Sequence, residues 1–419
     1  MIIKKNKNLD FFLNKNISLI LYFFFFIIIF LFFLKSFNYS FFWFKYFKAS
    51  LNGLINEKIF WDFEVYKCAA NKLINDQNPY TLLTECMPSK KPFIHNYPIL
   101  STFLFIPFTL INFFWSKVVW GLFLLIFFIF YIIYQRKLFS SNIHYLFYSF
   151  IILFCLDKAV VYSFITGNIS FILQILLACS FYFLYKKKIN TFFVIIFLIS
   201  CFKFYFLIFA VCPILLWKLK YKKEVLLTSA ALFIFYLANY LYDPNLFNNW
   251  IQNIYKVSVG KNYYDSFGIG SLKCIISINN FLESHNIIKF NNREYFEVLF
   301  TFLYLVFIIG LGFYYLNTKN IVNEKNFKTR IAFSILIVAI SIPRLEVYEL
   351  IIFVAPIIFL IENFYDFRNI KKKIIIFLCF LFISIFLLNG DSGITYPFLV
   401  IFTFISLFIF QSKKYINLS

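Results

Sequence analysis

Residues 118–134 read VVWGLFLLIFFIFYIIY, a stretch without charge that ends directly before Gln135, Arg136 and Lys137. An α-helix needs about 20 consecutive apolar residues to cross the hydrocarbon core of a bilayer. Transmembrane β-barrels instead show short segments of alternating hydrophobicity. The stretch therefore predicts a membrane-spanning helix, and comparable apolar runs occur at 17–36, 143–156, 169–185, 225–242, 296–316, 331–342, 347–362, 374–389 and 394–411.

The composition agrees with an all-α polytopic integral membrane protein. Hydrophobic residues make up 62% of the chain and charged residues 14%, whereas soluble domains are about half apolar and about a quarter charged. In a soluble protein, the net charge of +21 would suggest nucleic acid as a partner. Here the lysines and arginines lie between the apolar runs, where the positive-inside rule puts them. We therefore expect membrane lipids, and no nucleic acid, among the partners.

Two stretches decide how the chain threads through the bilayer. Residues 98–114 are apolar but contain Pro107, and residues 191–217 are too long for one span and carry Lys203 at their centre. If 98–114 dips in without crossing and 191–217 is a hairpin that turns at Lys203, the basic clusters fall in the cytoplasm. We therefore predict a single transmembrane domain over 1–419, with about 12 transmembrane helices and both termini cytoplasmic.

This threading predicts two long loops on the outer face, 37–97 and 243–295. Both loops contain many aromatic residues, and we expect them to fold as short amphipathic helices at the membrane surface, one of them over 62–74. Cys68 and Cys86 share the first loop and would be able to form a disulfide if that loop is extracytoplasmic. Their spacing leaves the bonded and the free states open.

Motifs of soluble catalytic sites are missing from the sequence. It has no Gly-rich phosphate loop and no zinc-protease motif, and its eight cysteines show no metal-ligand spacing. His95, His144 and His285 have no acidic neighbours in sequence, so we interpret them as incidental residues. We expect no metal and no cofactor.

Several short motifs follow one another in order along residues 60–360. They are Asp62-Phe63-Glu64-Val65-Tyr66, Ala69-Ala70, Asn78-Pro79-Tyr80, Tyr97-Pro98-Ile99-Leu100, Gly167-Asn168-Ile169-Ser170, Lys203-Phe204-Tyr205, Pro343-Arg344-Leu345 and Tyr348-Glu349. This ordered set resembles glycosyltransferase family 87, whose members have a GT-C type fold. The chain departs from the family pattern at Ile99, where a second proline is usual, and around Asp76 and Gln77, where a glycine is usual.

The resemblance implies an inverting hexosyltransferase that moves a sugar, mannose favoured, from a polyprenyl-phosphate donor. The acceptor is a lipid or glycan on the outer face of the cell (plasma or inner) membrane. Such a reaction needs one general base to deprotonate the acceptor hydroxyl. It also needs positive charge to stabilise the leaving phosphate.

The resemblance also implies roles for particular residues. Asp62 is the candidate catalytic base, and its alternative role is to cap a helix over 63–74. Arg344 and Lys203 are candidate ligands of the donor phosphate. Their alternative roles are snorkelling to the interface or pairing with Glu346 or Glu349.

Five further residues have predicted roles. Tyr66 and Tyr97 are candidates for contact with the sugar, although we favour anchoring at the membrane interface for both. Asn168 and Glu349 complete the predicted substrate-binding set. Glu64 is expected to be structural.

Two rival functions remain open from the sequence. A transporter or flippase of lipid-linked glycans also uses broken helices and intramembrane charge. It needs these charges near the midplane, however, and charge within the predicted spans is sparse, which favours the enzyme. A scaffold of envelope assembly without catalytic activity is the third interpretation.

The predicted threading can be tested by labelling single-cysteine variants in intact cells with an impermeant thiol reagent. Variants at Asn75 and Asn262, in the two outer loops, should react, whereas a variant at Lys187 should not. Labelling at position 187 would show that the threading is wrong and that 98–114 crosses the membrane.

Overall fold

The computed structural model describes residues 60–88, 93–139, 152, 159–259, 268–285, 293–317, 324–364, 396 and 399–407. The chain divides into two compact units, Met1–Ile59 and Phe60–Ser419, and the described residues belong to the second. Outside the described residues lie the predicted spans 17–36 and 374–389, nearly all of 143–156, part of 394–411, and parts of both predicted outer loops.

Almost all of the described backbone is helical. The first half of the chain contains α1 (Trp61–Ile74), α2 (Ile99–Thr102), α3 (Ile106–Thr109), α4 (Phe113–Phe139), α5 (Ala159–Thr166), α6 (Ile169–Tyr185), α7 (Ile189–Ser200) and α8 (Cys212–Trp217). The second half contains α9 (Lys222–Tyr242), α10 (Pro244–Val259), α11 (Ser271–Ser284), α12 (Arg293–Asn317), α13 (Glu324–Ser341) and α14 (Ile351–Phe364). Two short strands, β1 (Gly268–Ile269) and β2 (Leu345–Glu346), pair antiparallel.

Three helical stretches among the described residues are long and apolar enough to cross a membrane: Phe113–Phe139, Phe204–Tyr242 and Tyr295–Leu316. Shorter apolar helices occur at Ile99–Thr109, Ile169–Tyr185, Ile189–Ser200 and Ile351–Ile361. The chain is therefore a membrane protein built from helices, while the count of 12 spans stays a prediction.

The two ambiguous stretches are both interrupted. Helices α2 and α3 are joined by the 3₁₀ turn Phe103–Phe105, and at about 1.5 Å per residue the stretch 99–109 is too short to cross about 30 Å of hydrocarbon. Helix α7 ends at Ser200, and the 3₁₀ helix Phe204–Val211 begins after Lys203, whose backbone is extended. The chain thus breaks at the lysine where the charge pattern predicted a turn.

Helix α1 is held against α4 by buried charge. Glu64 and Lys117 form an ion pair, with 2.5 Å between Oε1 and Nζ and both side chains buried. Lys67 Nζ donates to Ser116 Oγ at 2.8 Å and to the carbonyl oxygen of Ile111. The helix predicted over residues 62–74 is present at Trp61–Ile74. Its charged residues Glu64 and Lys67 are buried, however, because α4 supplies a partner for each.

The described parts of the two predicted outer loops pack on each other. Trp250 Nε1 in α10 donates to the carbonyl oxygen of Asn96 at 3.1 Å, and Asn253 Nδ2 donates to that of Tyr80 at 2.8 Å. The side chains of Tyr80, Ile99 and Trp250 form one buried apolar cluster. Helix α10 thus covers the segment that follows α1.

Removing one partner of the buried ion pair should destabilise the protein strongly. We expect Lys117→Met to lower the free energy of unfolding by about 3–5 kcal/mol, because it leaves the Glu64 carboxylate buried without its cation. The double variant Glu64→Leu, Lys117→Met should recover most of the loss. Thermal unfolding of the detergent-solubilised protein measures both effects. The control Lys137→Gln, at an exposed lysine of α4, should change the free energy by about 0.5 kcal/mol or less.

Candidate active site

The start of α1 is locked to the turn between α5 and α6. Phe60 has a left-handed backbone with φ 61°, and its N–H donates to the carbonyl oxygen of Ile165 at 2.9 Å. Gly167 has φ +70°, and a Cβ on it would lie 3.0 Å from Cβ of Phe60. Trp120 Nε1 donates to the Gly167 carbonyl oxygen at 2.9 Å. Only glycine fits this turn without displacing Phe60, so the turn fixes where α1 begins.

Asp62 lies in the first turn of α1, beside Asn168. Asn168 Nδ2 donates to Asp62 Oδ2 at 2.9 Å, and Asn168 Oδ1 accepts from the Ser170 backbone N–H at 2.8 Å. Asn168 therefore caps α6 with its oxygen, and its amino group is left to face the carboxylate. The alternative that Asp62 is the N-cap residue of its own helix is wrong, because Phe60 holds that position and Asp62 lies within the first helical turn.

Tyr66 and Tyr97 form a buried wall next to Asp62. Their rings are 5.3 Å apart between centroids, and the Tyr66 hydroxyl oxygen accepts from the Ile169 backbone N–H at 3.3 Å. Burial, together with Tyr97 and Asp62, raises the pKa of Tyr66 well above its usual value. The favoured expectation of anchoring at the membrane interface is wrong for both residues, because both side chains are buried within the protein.

Tyr97 also connects Asp62 to a second charged group. Burial raises the pKa of Tyr97, the positive charge of Lys203 opposes this shift, and the negative charge of Asp62 adds to it. The Tyr97 ring also packs on Phe202, the residue before Lys203, at 6.3 Å between centroids. The structure brings Asp62 and Lys203, which are far apart in sequence, to one site.

Lys203 forms an ion pair with Glu349. Its Nζ lies 2.7 Å from Oε1 of Glu349, whose side chain is 1% exposed, while the Lys203 side chain is 17% exposed. The Tyr205 hydroxyl donates to the same carboxylate oxygen. Of the alternatives considered for Lys203, the structure shows pairing with Glu349. Tyr205 was not predicted as a site residue, although it belongs to the Lys203-Phe204-Tyr205 motif.

Arg344 lies on the segment that leads to Glu349. Residues Leu345 and Glu346 pair with Ile269 and Gly268, and the carbonyl oxygen of Pro343 accepts from the Leu272 N–H at 3.0 Å. The Arg344 side chain is half-buried. The 3₁₀ turn Val347–Leu350 that follows packs against α5 and α6. The segment therefore approaches the Asn168 turn, while the side chain of Glu346 lies outside the described residues.

His95 forms part of the same wall and was interpreted as incidental. It is fully buried, its ring stacks on Tyr80 at 5.8 Å between centroids, and Nε2 lies 2.7 Å from Thr102 Oγ1. The Thr102 hydroxyl donates to the Pro98 carbonyl oxygen, so Nε2 of His95 is the donor to Thr102. Burial lowers the pKa of His95 to about 3. No local sequence signal marks the position of His95, which depends on packing between distant residues.

The arrangement offers two chemical functions at one place. A half-buried carboxylate, Asp62, is oriented by an amide, and an ammonium group, Lys203, follows Phe202, which packs on Tyr97, and has part of its surface open. A carboxylate can accept a proton from a hydroxyl group, and an ammonium can neutralise an anion. Among the described residues, no group of three or more His, Cys, Asp or Glu side chains is placed to hold a metal ion.

In a comparison with protein families, the model of glycosyltransferase family 87 matches residues 93–338 of the chain. Comparison with curated proteins and with solved structures finds no match. The matched range contains Tyr97, Asn168 and Lys203, whereas Asp62 and Tyr66 precede it and Arg344 and Glu349 follow it. Because the match covers more than half of the chain, the protein belongs to glycosyltransferase family 87 and is a membrane glycosyltransferase.

Proposed function

We propose that the protein transfers a hexose, with mannose favoured, from a polyprenyl-phosphate-sugar donor to a lipid or glycan acceptor on the outer face of the cell membrane. The reaction inverts the configuration at the sugar, and the fold is of the GT-C type. The observation that carries this proposal is the pair of contacts at the two ends of the Tyr66–Tyr97–Phe202 ring packing. Asn168 holds Asp62 at 2.9 Å, and Lys203 is ion-paired with Glu349.

In the proposed reaction, Asp62 is the general base. It accepts the proton of the acceptor hydroxyl while that oxygen bonds to the anomeric carbon of the sugar. The bond from the anomeric carbon to the phosphate oxygen breaks, and the phosphate leaves with the bonding electrons. One carboxylate is sufficient for this displacement, and the hydrogen bond from Asn168 keeps the carboxylate in a single orientation.

Lys203 and Arg344 are the proposed ligands of the donor phosphate. In the structure Lys203 is paired with Glu349, which also accepts from Tyr205. When Lys203 turns towards a phosphate, the Tyr205 hydroxyl still satisfies the buried carboxylate, which reduces the cost of the exchange. Charge on the leaving phosphate increases during the reaction, so a cation placed there stabilises the transition state.

Two observations support an extracytoplasmic site. Cys68 of α1 is bonded to Cys86, with 5.8 Å between their Cα atoms, and disulfides persist in oxidising compartments outside the cytoplasm. Helix α6 also has Asn168 as its N-cap, and lysines 186–188 follow its last residue. The positive-inside rule assigns these lysines to the cytoplasm. The proposed orientation has both termini on that side.

Transfer of a radiolabelled sugar from a polyprenyl-phosphate donor to membrane lipid or glycan extracts tests the proposed function. The purified protein should carry out this transfer. A protein that binds the donor but transfers no sugar to any extract would contradict the proposal.

Replacement of Asp62 should abolish turnover without unfolding the protein. We expect Asp62→Asn to lose about 10²–10⁴-fold in rate, as loss of a general base typically does, and to retain donor binding. Asp76→Asn is the matched control, because Asp76 is exposed just after the end of the same helix. Its backbone has φ 54°, a conformation that asparagine tolerates. Near wild-type transfer by Asp62→Asn would exclude Asp62 as the base.

Replacement of Arg344 by lysine should weaken donor binding although the charge is kept. A guanidinium can bind two phosphate oxygens at once, and an ammonium cannot. We expect a loss of about 1.5–3 kcal/mol, the contribution of one hydrogen bond to a charged group, measured as a higher donor KM. An unchanged donor KM in Arg344→Lys would show that Arg344 does not bind the donor. If the double variant Arg344→Lys, Glu346→Gln then recovered stability, the role of Arg344 would be an ion pair with Glu346.

A further inference from the structure

A basic surface lies at the end of α6 that is remote from Asp62. Helix α6 has 17 residues, so its two ends are about 25 Å apart, a distance close to the thickness of the hydrocarbon core. No aspartate or glutamate occurs between residues 186 and 223. The exposed lysines at this end are Lys186, Lys187, Lys188, Lys218, Lys220, Lys222 and Lys223.

A row of aromatic rings joins the two groups of lysines. Tyr185 stacks on Phe327 at 6.2 Å between centroids, Phe327 packs on Trp217 at 5.4 Å, and Trp217 packs on Tyr221 at 5.4 Å. The row connects the end of α6, the start of α13 and the 3₁₀ turn Lys218–Tyr221. Phe327 itself is buried, whereas Tyr185, Trp217 and Tyr221 are partly exposed. We name the seven lysines and these three partly exposed rings the basic platform.

Helix stability does not account for the lysines of the second group. Lys222 and Lys223 open α9, and Lys218 and Lys220 directly precede it. Positive charge at a helix N-terminus is unfavourable, because this end of the helix already carries a partial positive charge. An anion bound here would be attracted both by the lysines and by the helix end.

The backbone at this end also places lysine where glycine is favoured. The N–H of Lys188 donates to the Phe183 carbonyl oxygen at 2.9 Å, and that of Lys187 donates to the Leu184 carbonyl oxygen at 3.0 Å. This is the pattern of a Schellman motif, whose left-handed position is usually glycine. That position is Lys187, with φ 58°, and Lys218 has φ 58° as well. The turns therefore hold charged side chains in spite of an unfavourable backbone conformation.

The apolar surroundings favour a lipid headgroup over a soluble anion. Leu219, between Lys218 and Lys220, is 59% exposed, and Leu226 and Leu227 are exposed one turn beyond Lys223. Lys186 Nζ lies 5.1 Å from the centre of the Tyr185 ring, and Lys220 Nζ lies 5.4 Å from that of Tyr221. Lysines beside aromatic rings at the border of an apolar surface are typical of the headgroup level of a bilayer.

We propose that the basic platform binds the phosphate headgroups of anionic phospholipids in the leaflet opposite the Asp62 site. Each lysine near an anionic membrane surface strengthens binding by roughly five-fold. Removal of three charges should therefore weaken binding on the order of a hundred-fold. The proposed lipid site is separate from the transfer reaction, so this proposal does not depend on the identity of the sugar donor.

The test measures binding of phosphatidylglycerol to the purified protein in neutral detergent. Native mass spectrometry counts the bound lipids, and phosphatidylcholine is the neutral lipid used for comparison. We expect the wild type to retain phosphatidylglycerol preferentially. The triple variant Lys186→Gln, Lys187→Gln, Lys188→Gln should lose this preference, and the triple variant with arginine at the same positions should keep it. Each variant is first shown to be monodisperse and to have wild-type thermal unfolding in phosphatidylcholine.

Two controls separate the proposed site from other effects. Lys72→Gln removes a half-buried lysine of α1, outside the basic platform, and should leave lipid retention unchanged. Inorganic phosphate should not displace the lipid. Equal retention by the glutamine variant, an equal loss in Lys72→Gln, or displacement by inorganic phosphate would each overturn the proposal.

Discussion

The buried ion pair between Glu64 and Lys117 is the interaction on which the site depends. It connects α1, which is too short and too charged to span a bilayer, to α4, one of the membrane-length helices. A buried charge is tolerated only with a partner, so the pair specifies one position of α1 along α4. That position places Phe60 on the Gly167 turn, and the contact between Phe60 and Gly167 then sets Asp62 beside Asn168.

Helix α6 gives the molecule two chemically different ends. At its start, Asn168 caps the helix with its side-chain oxygen and donates to Asp62 with its amino group. At its end, lysines follow Tyr185, and a helix C-terminus carries a partial negative charge that favours them. The same helix therefore positions a carboxylate at one of its ends and positive charge at the other. Both features follow from the termini of a single helix.

The sequence allowed the long helices and the break at Lys203 to be predicted, because both depend on local signals. The apolar run 118–134 lies within α4, the run 296–316 lies within α12, and an isolated lysine in an apolar stretch marked the break. The start of α1 was not predictable, since it depends on Phe60 meeting residues 165–167. Burial of Tyr66 and Tyr97 likewise requires contacts between segments that are distant in sequence. Motif order could suggest Asp62, Asn168 and Lys203 as site residues, but it could not show their partners.

The two carboxylates of the site differ in ways that suit different tasks. Glu349 is 1% exposed and is paired with the Lys203 ammonium and the Tyr205 hydroxyl. Loss of the Glu349 carboxylate would leave the Lys203 ammonium, 17% exposed, without its counter-charge, which is costly. Asp62 is half-buried and accepts from the neutral Asn168 amide. The amide holds the carboxylate in place without supplying a counter-charge. These contacts support the proposed division of tasks, in which Asp62 takes the proton of a substrate hydroxyl and Glu349 keeps Lys203 and Tyr205 in position.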